Sequence, residues 1–171
     1  MKKIIPLVLL AFLFISSSND RFEGEYRLTK LVNPFIGTGG HGHTFPGAVV
    51  PYGMVQLSPD TRTQGWDACG GYYTDDKSIL GFSHRHLSGT GMTDFADVLF
   101  TPFIGKLKMQ NDTLQKYYPL TFSHKNEIAN PGYYKVVFDN GIQAELTAST
   151  RAGFHKYQFP AGESGIIIDL H

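Results

Sequence analysis

Cysteine is almost absent: Cys69 stands alone in 171 residues. One thiol cannot close an intramolecular disulfide, so the chain is not a stapled secreted mini-domain and must fold on an apolar core. An excess of either charge is absent too. Lys and Arg number 15, as do Asp and Glu, which argues against nucleic acid or an acidic membrane surface as a partner. No window carries a sustained 3.6-residue apolar period with helix caps. Internal repeats, low-complexity segments and charge blocks are likewise missing.

The one long apolar run, residues 4–15, follows Lys2 and Lys3 and precedes Ser16, Ser17 and Ser18. A positive start, an apolar middle and small residues describe a signal peptide, residues 1–18, shorter than the roughly 20 residues a membrane span needs. No cysteine follows the run, so lipid attachment at the usual place is unavailable to it. The mature chain is expected to begin near Ser18 or Asn19, to be secreted or periplasmic, and to keep no membrane span. Residues 19–171 suffice for one domain with a real core.

The rest of the chain is organised around residues 65–91, G-W-D-A-C-G-G-Y-Y-T-D-D-K-S-I-L-G-F-S-H-R-H-L-S-G-T-G. Trp66, Cys69, Asp75, Asp76, His84 and His86 lie among six glycines, so the backbone turns often and in conformations other residues avoid. Polar groups around an aromatic floor suit a small-molecule or sugar pocket. A turn-rich loop whose tryptophan belongs to the core fits the same residues. Cys69 reads as a buried lone thiol. Residues 33–48 form a second glycine-rich loop, but without the Lys-Ser/Thr of a phosphate loop or a following helix.

His41 and His43 are two apart, as are His84 and His86. On a strand this spacing puts both imidazoles on one face, a possible metal arrangement. With no second cysteine and no H-E-x-x-H, hydrogen bonds to substrate hydroxyls or carbonyls fit better. No metal ligand is assigned.

Short strands follow one another through the remainder: residues 54–58, 96–104, 106–109, 121–124, 133–138, 142–149, 154–159 and 165–170. In the clearest, Ile142, Ala144, Leu146 and Ala148 alternate with polar neighbours, a half-buried pattern. Asn140-Gly141 predicts a two-residue hairpin turn before it. The class is all-β, an antiparallel sandwich. Ile166-Ile167-Ile168 reads as a central strand, with more chain expected beyond His171.

Six long motifs, taken in order, resemble glycoside hydrolase family 92. They are N-P-F-I-G-T-G-G-H-G-H-T-F-P-G-A (33–48), P-Y-G-M-V-Q-L-S-P-D-T (51–61), G-W-D-A-C-G-G-Y (65–72), G-F-S-H-R-H-L-S-G-T-G (81–91), N-P-G-Y-Y-K-V (130–136) and E-L-T-A-S-T-R-A-G-F-H-K-Y-Q-F-P (145–160). The resemblance implies an N-terminal β-sandwich, truncated at its C-terminal end, from an exported, calcium-dependent, inverting α-mannosidase acting on N-glycans or mannans. It implies that an (α/α)6 helical domain in cis supplies both catalytic carboxylates and most calcium ligands. An inverting pair stands about 6.5–9.5 Å apart, leaving room for water.

By motif match, Trp66 and Cys69 are sugar-pocket residues, with Asp67 able to accept hydroxyl hydrogen bonds. Gly40, His41, His43, His84 and His86 are weaker candidates. Ala68 departs from the aromatic often found there, which puts one stacking contact or a subsite preference in question. Asp94 and Asp97 could be paired as acid and base, but their positions suit loop-capping carboxylates, so no catalytic residue is placed in this chain. It is expected to bind mannose weakly or not at all and to hydrolyse nothing by itself. A non-catalytic carbohydrate-binding sandwich, or a purely structural one, is the alternative.

Overall fold

The computed structural model describes residues 28–89, 98–107, 109–110, 113–114 and 120–170. The chain divides into two units, Met1–Leu31 and Val32–His171. In the first unit the described part is a short exposed 3-10 helix, Leu28–Leu31. The residues read as a signal peptide, and Asp94 with Asp97, lie outside the described residues. Among the described residues no helix is long and apolar enough to cross a membrane.

The second unit is all-β. Its strands are β1 (Ala48–Val49), β2 (Gln56–Asp60), β3 (Ser78–Ile79), β4 (Gly81–Ser83), β5 (Val98–Ile104), β6 (Met109–Gln110), β7 (Thr113–Leu114), β8 (Leu120–Asn130), β9 (Tyr133–Phe138), β10 (Gln143–Ala148), β11 (Gly153–Gln158) and β12 (Ser164–Leu170). One sheet has the order β1-β2-β4-β5-β12, the other β11-β10-β9-β8-β3, and β6 pairs with β7. Every pairing is antiparallel. The sheets face each other where β10 packs over β1 and β2. Leu57 and Phe82 from one sheet meet Phe122, Tyr134, Val136, Phe138, Ala144 and Leu146 from the other, with Ile142 just before β10. The sandwich expected from the strand spacing is the fold observed.

Alternation decided the second half. Ile142, Ala144 and Leu146 are buried and Ala148 half-buried, as their spacing predicts. The hairpin differs in its turn. Gly141 N–H bonds the Phe138 carbonyl at 2.9 Å, and Phe138 N–H bonds the Ile142 carbonyl at 2.9 Å. Only Gly141 has positive φ, 87°. This is a three-residue loop with a bulged glycine, not the two-residue turn expected, because Asp139 joins the connection.

Three further strands depart from expectation. β2 continues through Pro59 to Asp60, since β1 covers only Gln56 and Leu57 and demands no N–H from the proline. β8 runs past His124 to Asn130, with a register shift between Phe122 and Glu127. The three extra residues of β8 there turn Glu127 inward within a polar stretch that reads as loop. β12 is an edge strand, bonded to β5 alone, with Ile166, Ile168 and Leu170 exposed. An apolar run implied a central position, but no other described strand lies beside it.

Candidate functional site

Two loops meet to form the site. The first, residues 37–44, folds back on itself: Gly42 N–H bonds the Gly39 carbonyl and Thr44 N–H the Gly37 carbonyl. Gly42 approaches the Gly37 carbonyl so closely that a Cβ would lie 2.2 Å from its oxygen, which only glycine allows. The turn leaves His43 at φ 51°, an unusual conformation for a side-chain-bearing residue. Its ring is buried, while the His41 side chain is 80% exposed.

The second loop carries a 3-10 turn, Trp66–Ala68. Cys69 is buried beneath it, its Sγ–H donating to the Trp66 carbonyl at 2.9 Å. Gly71 N–H closes onto Ala68, and Thr61 N–H onto Gly71. These bonds leave Trp66 outside the core, 59% exposed. Thr74 N–H donates to the Thr38 carbonyl at 3.0 Å, tying the second loop to the first.

Between the loops, Asp67 Oδ1 accepts from His41 Nδ1 at 2.7 Å and from His43 Nε2 at 3.0 Å. The His41 bond first, then the His43 bond, holds the Asp67 carboxyl below the usual carboxylate range. The indole of Trp66 stands edge-on to the His43 ring, centroids 5.4 Å apart. The cluster therefore offers an open aromatic face beside an ionised carboxylate. Among the described residues, Asp67 Oδ2 takes no hydrogen bond. An indole face suits the C–H surface of a sugar ring, and a free carboxylate oxygen suits its hydroxyls.

The structure brings Gly40, His41, His43, Trp66 and Asp67 together and sets the other expected site residues apart. Cys69 lies buried beneath the turn, against the Trp66 carbonyl. His86 is fully buried: Nδ1–H donates to the Gln56 carbonyl and Nε2 meets Asp60 Oδ1, both at 2.8 Å. His84 lies between the sheets, its Nε2 3.0 Å from His155 Nε2, with Phe100 5.4 Å from its ring. Burial first, then the charge of His86, lowers the affinity of His84 for a proton. Burial, then His84, holds His155 down at about 4. These two histidines behave as neutral packing groups. Ala68 is buried in the turn.

One polar centre escaped the sequence reading. Glu127 accepts from Tyr72 at 2.7 Å, from Tyr134 at 2.6 Å and from His124 at 2.5 Å. Burial, then the Glu127 charge, pushes both phenols well above their ordinary range. Nearby, Arg62 grips Asp76 through two nitrogens and lies over the Tyr73 ring. Together they fasten the second loop to β8 through contacts about 50 residues apart in the chain. Such spacing leaves no local pattern to read.

His41, His43 and Asp67 form the one group of three metal-ligand residues among the described residues. Two nitrogens and one oxygen do not suit calcium, which takes six to eight oxygens.

Comparison with known proteins now places the molecule. The glycosyl hydrolase family 92 N-terminal domain matches residues 31–171. The chain belongs to this family of glycosidases. It is 41% identical to a family 92 alpha-mannosidase of Bacteroides thetaiotaomicron, with a TM-score of 0.77, covering 85% of this chain and 20% of that one. A family 92 inverting mannosidase of the same organism is 31% identical with a TM-score of 0.66, covering 83% and 19%. A secreted glycosidase of Arthroderma benhamiae, itself uncharacterised, is 33% identical across 96% of this chain and 22% of its own length. The chain thus spans about a fifth of the length of these relatives.

Proposed function

We propose that this chain supplies sugar-facing loops to an exported, exo-acting, inverting α-mannosidase that removes terminal mannose from N-glycans or mannans. The observation that carries the reading is the cluster of Trp66, Asp67 and His41, open to solvent above the buried His43, in a chain of a mannosidase-containing family. The indole would lie against the apolar face of the sugar, and Asp67 Oδ2 would accept from a hydroxyl. His41 and His43 orient the carboxylate and keep it ionised. In this reading the acid, the base and the calcium ligands belong to a helical domain in cis, and residues 1–18 direct export.

The test compares the chain alone with the enzyme formed when it is joined to that helical domain. The joined enzyme should release mannose from an α-linked mannoside with inversion at the anomeric carbon, read by NMR of the first-formed sugar. Asp67→Asn should lower its kcat/KM by about tenfold. The chain alone should release none. Full activity in Asp67→Asn would remove this cluster from the substrate site. Release of mannose by the chain alone, abolished by Asp94→Asn, would move the chemistry into the sandwich.

A further inference from the structure

We propose that His41, His43 and Asp67 constitute a binding site for a zinc-class divalent cation. The assignment shares Asp67 and both histidines with the proposed sugar contact but rests on the donor geometry of the cluster itself. The donor atoms His41 Nδ1, His43 Nε2 and Asp67 Oδ1 all lie within 4.8 Å of one another. Four-coordinate zinc, with bonds of about 2.0–2.1 Å, sets its ligand atoms roughly 3.3 Å apart. The carboxylate oxygen sits 2.7 and 3.0 Å from the two imidazole nitrogens. The carboxylate oxygen must move out by a few tenths of an ångström and the two nitrogens, within 4.8 Å of each other, must settle near the same spacing, a movement the exposed His41 ring is free to make.

Donor chemistry selects the class of ion. Two imidazoles and one carboxylate suit zinc, cobalt, nickel or copper, whereas calcium and magnesium require oxygen cages. The ligands are held in advance. His43 is fixed by burial and by its loop conformation, and Asp67 by the turn behind Trp66. Metal ligation replaces the two N–H···O bonds to Asp67, each imidazole then carrying its proton on its other ring nitrogen. Three protein ligands leave a fourth position to water on the solvent side, where His41 is exposed.

Isothermal titration of the untagged chain with zinc chloride tests the site, with cobalt(II) as the spectroscopic probe. The expected result is one zinc per chain. His41→Ala and Asp67→Asn should each weaken binding on the order of 10–100-fold. They should also abolish the visible absorption of four-coordinate cobalt, while far-UV circular dichroism stays native. Excess calcium should displace neither metal. Absence of zinc binding, undiminished binding in both folded variants, or displacement by calcium would each overturn the proposal.

Discussion

Residues 33–89 and residues 120–170 handle polar groups in opposite ways. In the later region, Glu127 with its partners and His155 apart, polar side chains line the sheet surface: Glu145 accepts from Tyr133, Gln143 and Lys156 on neighbouring positions of β9, β10 and β11. Water can replace any of these partners. In the earlier region polar groups are sealed inside. Asp60 and His86 are fully buried together, and His43 is nearly so. Their partners stand 24 to 30 residues away in the chain, and close backbone approaches make room for them. The strand region thus draws stability from a repeating apolar face, the loop region from particular contacts that cannot be exchanged. The second kind holds polar groups at fixed positions and leaves Trp66 and Asp67 open, where the proposed sugar contact lies.

The largest effect should come from the strand region. Leu146 is 1% exposed in the apolar cluster, so Leu146→Ala should destabilise the chain by about 2–5 kcal/mol. Urea denaturation measures this. The loop region answers differently. Gly42→Ala puts a methyl against the Gly37 carbonyl and should cost roughly 2 kcal/mol. It should also change the fluorescence of Trp66, the only tryptophan, in the folded protein. Leu146→Ala should leave that fluorescence unchanged.

Acid should sharpen the contrast through the inter-sheet histidines. His155 is held at about 4 in the folded chain, against about 6.5 when unfolded. The unfolded chain therefore binds the extra proton first. This contribution is complete above about pH 6.5 and is lost as the pH falls toward 4. The ring retains some solvent contact, so the loss should be about 1–2 kcal/mol rather than the full linkage value. Urea midpoints at pH 7 and pH 4.5 would show it, and His155→Gln should flatten the difference. An equal fall in His155→Gln would assign the acid sensitivity to other groups.

The two regions also differ in what their residues reveal in advance. Alternation at Ile142, Ala144 and Leu146 states which face of β10 is buried, because a strand has period two. The glycine-rich motifs announced a loop-built surface with Trp66 on it. They could not show that Asp67, 26 residues from His41, bonds that ring and the His43 ring together. Nor could they separate the open His41 from the buried His86, since both stand among glycines or polar residues in the chain. Glu127 was hidden by the bulge in β8, which reverses the inward face midway through the strand. Contacts that cross dozens of residues have no period, so only the folded chain displays them.

The central claim is that Trp66 serves the sugar and not the fold. Trp66→Ala in the enzyme joined to its helical domain, assayed for kcat/KM on an α-mannoside and for melting temperature, tests this most directly. The account predicts at least about a tenfold fall in kcat/KM, roughly 1.4 kcal/mol of transition-state stabilisation, with the melting temperature nearly unchanged. A large fall in melting temperature with unaltered kinetics would contradict it and return Trp66 to the core.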